Sequence, residues 1–248
     1  MHILQIGLIM LIVGFVTTYL KITIDRVFLV LLLLMWMGFS IQDAIVINAL
    51  TMAAASIVLI RGAKTPLAKL PKPAMFTIII LSFLGGIAGR WISMNASNRV
   101  LIIILGIYAI LVGLRLVLVK PKMMSSGKIT PAMSIVSLLF SVLTGLISAG
   151  GKPLQIPIFA KLFKVSMEQA YLVATLGTIA SVAGFIAGQL LTNHKLLQLP
   201  LIGWSWIYFL GISVVMYLFE PLWSQKGQKW VTMIVGPILV LVGLKLMI

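Results

Sequence analysis

The stretch "GLISAGGKPLQIP", Gly145 to Pro157, holds the residue types that bind an anion without a metal or a cofactor. Gly150 and Gly151 permit a tight turn and let a ligand approach the backbone N–H groups. Lys152 adds a positive charge, and Pro153 suits the first turn of a new helix. Free N–H groups, the positive end of a helix dipole and an ammonium would then act together on one anion, with Gln155 completing the set. An interfacial Gly-Pro loop with a snorkelling lysine has the same composition, so the residues alone leave both readings open.

Polar residues elsewhere add to this set. Asn48 and Thr51, and likewise Thr175 and Thr178, lie inside apolar stretches at a spacing of three, so each pair shares a helical face and is a candidate for lining a cavity. Interhelical hydrogen bonds or back-bonding to the preceding turn would explain them equally well. In the first half of the chain, "GFVTTYLKITIDR" places Lys21, Thr23, Asp25 and Arg26 where the glycine turn stands in the second half, with Tyr19 and Leu20 in place of the two glycines. Lys21 and Thr23 join the candidate binding residues, and the site is expected to be lopsided. Ser40 with Asp43, and Ser166 with Gln169, have the spacing of a capping box and predict helix starts near 40 and 166. That role leaves Asp25, Asp43 and Glu168 as weak candidates for proton coupling. Gly85, Gly86 and Gly89 read as a helix-packing face, and Arg90 as an interfacial side chain turned outward.

Other chemistries lack their residues. With no Cys and only 2 His, disulfides, thiolate metal sites and imidazole-rich centres have no ligands. No carboxylate pair, nucleophile constellation or nucleotide-binding motif is present, so the expectation is neither an enzyme nor an ATP-driven pump, without cofactor, metal or catalytic residues.

The elements that must position these residues are membrane helices. Of the 248 residues 61% are hydrophobic and 9% charged, with a mean hydropathy of +1.19, whereas soluble domains carry about 25% charged residues. Runs near the roughly 20 residues needed for about 30 Å of hydrocarbon occur at about 3–20, 44–60, 73–94, 100–119, 131–149, 170–191, 199–219 and 229–248. Val27 to Met37 and Pro153 to Phe163 are apolar but long enough for only about half a membrane. The first run lacks a basic leader and a small-residue cleavage motif, so it is expected to be retained.

The net charge of +15 arises from 19 Lys and Arg against 4 acidic residues. Most of the basic residues lie between apolar runs, which gives nucleic acid no soluble basic face. Arg61, Lys64, Lys69 and Lys72 cluster in one loop, and Lys120, Lys122 and Lys128 in another, so the positive-inside rule places both in the cytoplasm.

The chain also repeats. "GIYAILVGLRLVL" at 106–118 returns as "GPILVLVGLKLMI" at 236–248, and "FSIQDAIVINALTMAAAS" from Phe39 resembles "VSMEQAYLVATLGTIASV" from Val165. The polar, basic stretch 120–130 divides a first transmembrane repeat, 1–119, from a second, 131–248, and acts as a cytoplasmic linker. An odd net number of crossings in each half would invert the halves relative to each other, the arrangement of many secondary transporters, with the substrate near the midplane.

The Gly-rich turn, "QIP", a short apolar segment, Ser166, Gln169, Ala170 and a Thr-bearing helix together resemble the signature of the TauE/SafE family of sulfite exporters. The resemblance is strongest over about 140–190. It implies a small polytopic carrier for sulfite, organosulfonates or organic acids; Lys152 stands where that family has the third glycine of a triplet. The sequence therefore predicts an all-α polytopic membrane protein with two inverted repeats, about eight long transmembrane helices and two short or re-entrant half-helices. The expected function is export of a small anion such as sulfite, an organosulfonate or a carboxylate by alternating access. The alternative is a channel-like or structural membrane protein. The expected partners are a small anionic substrate, the lipid bilayer and, as an open case, a second copy in a homodimer. The expected place is the cell membrane of a prokaryote.

Overall fold

The computed structural model describes residues 2–20, 27–61, 71–118, 127–192 and 199–248. Lys21, Thr23 and Asp25 lie outside the described residues, as do Lys64, Lys69, Lys120 and Lys122. Among the described residues the secondary structure is helical: α1 (His2–Tyr19), α2 (Val27–Met35), α3 (Ile41–Arg61), α4 (Lys72–Asn95) and α5 (Asn98–Leu118) in the first half. The second half holds α6 (Met133–Ile147), α7 (Lys152–Leu162), α8 (Met167–Thr192), α9 (Leu199–Phe219) and α10 (Gln225–Met247), with a 3-10 turn, Glu220–Leu222, after α9.

Local chemistry explains several boundaries. Ser40 Oγ accepts from the Asp43 amide at 3.1 Å and donates to the Asp43 carboxylate at 2.6 Å, so Ser40 caps α3, with its hydroxyl rather than its N–H on the carboxylate. The Ser166 hydroxyl likewise accepts from the Gln169 amide at 3.2 Å before α8, and Ser224 accepts from the Gly227 amide at 3.0 Å before α10. The short helices are as short as their apolar runs: α2 has 9 residues and α7 has 11.

Helices α4, α5, α8, α9 with its 3-10 extension, and α10 are long and apolar enough to cross a membrane. Ile3–Tyr19, Ile41–Ser56 and Met133–Ile147 are shorter apolar stretches, so five of the eight expected long spans reach that length among the described residues. Large apolar side chains such as Leu118, Leu139, Leu210 and Leu241 are more than half exposed along these helices, far more surface than a soluble monomer leaves bare. The described structure is that of an all-α membrane protein.

Packing relies on small residues, as expected where lipid removes the hydrophobic drive between helices. Helix α4 lies between α6 and α8. A Cβ on Gly86 would stand 2.0 Å from the Ser181 carbonyl oxygen, and one on Gly184 would stand 2.0 Å from that of Phe83, so no side chain fits at either point. The partnerships of the first five helices recur in the second five: α4 packs on α6 and α9 on α1, α4 on α8 and α9 on α3, α7 on α8 and α2 on α3. Helices α5 and α10, and α3 and α8, pair with each other.

The end of α7 returns to the linker. The Gly127 N–H donates to the Lys164 carbonyl at 2.8 Å, which ties the residues just before α6 to those just after α7. Helices α6 and α7 thus form a hairpin that closes on its own starting level, with residues 148–151 at its tip.

Candidate substrate site

The hairpin tip reverses the chain through two left-handed residues, Ser148 at φ 49° and Gly150 at φ 73°. Glycine adopts that conformation without steric cost, and Ser148 does so as the cap of α6, its N–H donating to the Thr144 carbonyl at 2.9 Å. Other helices hold the tip by its carbonyls. The Asn48 amide of α3 donates to the Ser148 carbonyl, and the Tyr108 hydroxyl of α5 donates to the Gly150 carbonyl. The Gly151 carbonyl accepts from Leu154 at 3.1 Å and from Gln155 at 2.8 Å as α7 begins.

This leaves an imbalance. Three tip carbonyls are taken up, while the N–H groups of Gly150 and Gly151 enter no hydrogen bond among the described residues. The Ser148 hydroxyl and Asn48 Oδ1 are buried without a partner among the described residues. Native proteins leave few buried polar groups unmet, so such a concentration on one turn calls for a ligand or water. The backbone of the tip is rich in donors, which suits an anion.

Lys152 begins α7 beside these donors and is 5% exposed. A snorkelling anchor would reach the surface; this ammonium is enclosed by protein and lies 5.8 Å from the ring centroid of Tyr171 on α8. Pro153 occupies the first turn of α7, where its lack of an N–H costs nothing. Gln155 is buried one turn on, donating to Ser137 Oγ at 3.0 Å. The space beside Gly177 lies between Gln155 and Ser82: a Cβ there would be 3.9 Å from Gln155 Nε2 and 3.3 Å from Ser82 Oγ, which is buried without a partner.

The remaining candidates separate. Thr51 bonds back to the Ile47 carbonyl at 2.7 Å and Thr178 to that of Ala174 at 2.9 Å, the local role that any membrane helix offers a threonine. Thr51 also faces the Ser205 carbonyl of α9 at 3.3 Å, whereas Asn48 turns to the tip. Thr175 Oγ1 is buried without a partner, one turn after Tyr171 on the same face of α8. Asp43 is engaged by the Ser40 hydroxyl at the start of α3, and Glu168 is exposed in the first turn of α8. The sequence reading missed Ser82, Tyr108, Ser137, Ser148 and Tyr171; only Ser148, inside the Gly-rich stretch, carried a local signal.

Arg90 corrects an expectation. Instead of turning outward it is 3% exposed, donates from Nη1 to Gln42 Oε1 at 2.8 Å and from Nε to Gln189 Oε1, and lies 4.7 Å from the ring centroid of Phe185. A half-buried amide on α3, a buried amide on α8 and the Phe185 ring give the guanidinium a better-matched place than the surface.

Apolar helices of spanning length around a buried turn define a multi-pass membrane protein. The chain belongs to the sulfite exporter TauE/SafE family, whose sequence model matches residues 6–246. Members of that family are transporters of the anion-exporter type. Comparison with curated proteins and with solved structures finds no significant match.

Proposed function

We propose that this protein exports a small anion, such as sulfite, an organosulfonate or a carboxylate, across a prokaryotic cell membrane by alternating access. The observation that carries the reading is the tip of the α6–α7 hairpin, where the N–H groups of Gly150 and Gly151 are unengaged among the described residues and stand next to the buried Lys152. The helix dipole of α7, the N–H groups and the ammonium reinforce one another on a negative charge. Asn48, Gln155 and Thr175 supply further polar groups, and Thr51 and Thr178 share the helical faces of Asn48 and Thr175. Lys21 and Thr23, from the corresponding stretch of the first half of the sequence, are further binding candidates, and Asp25, Asp43 and Glu168 are secondary candidates for coupling.

The matched packing of the two halves supports an inverted repeat, in which one half rocks against the other around the site. The closed α6–α7 hairpin supports a re-entrant half-helix.

Proteoliposome counterflow tests the reading. Saturable exchange of sulfite, sulfoacetate or lactate, lost in Lys152→Met protein that folds normally, is the expected result. Flux that grows linearly with concentration, or that is unchanged in the variant, would overturn it.

A further inference from the structure

A second positively charged feature lies outside the hairpin tip. Between α5, α6 and α7 runs a groove of 540 Å³ whose walls include Leu111, Phe140, Leu154 and Ile158, with Arg115 and Lys161 among the lining side chains. Its volume is that of a small-molecule site. Leu111 is 49% exposed, so the groove opens sideways from the helix bundle, toward lipid. Both cations stand at one end of the bundle: Arg115 is one turn before the end of α5, and Lys161 is in the last turn of α7, just before the Lys164 carbonyl that receives the Gly127 N–H.

Arg115 is the anomaly. It is 8% exposed, it makes no hydrogen bond among the described residues, and its Nε is buried without a partner. Among the described residues no acidic side chain lines the groove. A guanidinium set in an apolar wall without a counter-ion carries a heavy desolvation cost, which Arg90 avoids through its two glutamines. A negative group arriving from outside would relieve that cost.

We infer that this groove binds an anionic phospholipid, with the phosphate on Arg115 and Lys161 and an acyl chain along Leu111, Phe140, Leu154 and Ile158. Basic pockets between helices near a membrane surface attract anionic headgroups, and the apolar length of this one has no use for a free phosphate. The inference rests on the membrane reading alone and is independent of what the hairpin tip carries.

Native mass spectrometry of the full-length protein in mild detergent, titrated with phosphatidylglycerol or phosphatidylcholine, tests it. Phosphatidylglycerol should be retained preferentially. Arg115→Gln and Lys161→Gln should each weaken its retention by about fivefold and leave phosphatidylcholine unaffected, the scale expected for one basic residue near an anionic headgroup. Ile158→Trp, which fills the groove and keeps both charges, should also lower retention. Lys161 is exposed, so its variant keeps the test valid even if Arg115→Gln fails to fold. Equal retention of the two lipids, no change in Lys161→Gln, no change in Ile158→Trp, or displacement of the lipid by millimolar inorganic phosphate would each overturn the assignment.

Discussion

Gly106 and Gly243 face each other so closely that a Cβ on the first would stand 2.8 Å from the carbonyl oxygen of the second, and a Cβ on the second 2.5 Å from that of the first. Gly113 and Gly236 meet in the same way, at 2.6 and 3.1 Å. The sequence repeat pairs Gly106 with Gly236 and Gly113 with Gly243. Exchanging the two halves therefore carries one contact onto the other, and as residue numbers rise along α5 they fall along α10. Equivalent helices that pair antiparallel through equivalent residues are what a two-fold axis in the membrane plane would produce, which supports the proposed inversion.

Because the clash at this contact is with backbone, even a methyl group must push the helices apart. Gly243→Ala should lower the thermal unfolding midpoint in detergent and Gly243→Leu should lower it further, the larger side chain costing about 1 to 3 kcal/mol of stability, the usual cost of overpacking. Gly7, which has open space around it, should accept alanine without such loss.

The enclosed ammonium of Lys152 should contribute to anion binding more than to folding. Lys152→Met keeps the apolar stem and should weaken anion affinity by roughly 1 to 3 kcal/mol, the scale of a charge-assisted hydrogen bond, with normal expression. Lys229→Met, at an exposed position of α10, should bind as the wild type does. Calorimetric titration with sulfite compares the two.

Arg90 should behave as a buried pin between helices. Arg90→Met leaves Gln42 and Gln189 without their donor and should destabilise the protein by about 1 to 3 kcal/mol for the unmet groups. A side chain turned toward solvent would tolerate the change, so an unaltered unfolding midpoint would contradict the observed burial.

Thr51 and Thr175 should differ. The Thr51 hydroxyl is met by its own helix, so Thr51→Val should leave transport within about twofold of wild type, the scale of a few tenths of a kcal/mol. Thr175→Val removes an unmet hydroxyl on the face of Tyr171 and should alter anion affinity or selectivity in the counterflow assay.

Topology is open to direct labelling, because the chain has no cysteine. A cysteine at position 66, in the basic loop, should resist an impermeant maleimide outside intact cells, and one at Ser97, between α4 and α5, should react. Labelling of position 66 from outside would reverse the proposed orientation.

Much of this architecture was legible in the chain. Span length follows from hydrocarbon thickness, so the long runs and the two short segments could be counted, and the capping pairs Ser40–Asp43 and Ser166–Gln169 marked where α3 and α8 begin. The Gly-rich turn announced itself because few other sequences reverse so tightly. Which way each side chain points was another matter. In a membrane the lipid-facing and protein-facing sides of a helix are both apolar, so periodicity cannot tell that Arg90 turns inward, that Tyr108 reaches the Gly150 carbonyl, or that Asn48 and Thr51 on one face meet different neighbours. Those directions depend on which helices lie alongside, and contacts between residues as far apart as Asn48 and Ser148 exist only once α3 and the α6–α7 hairpin have packed together.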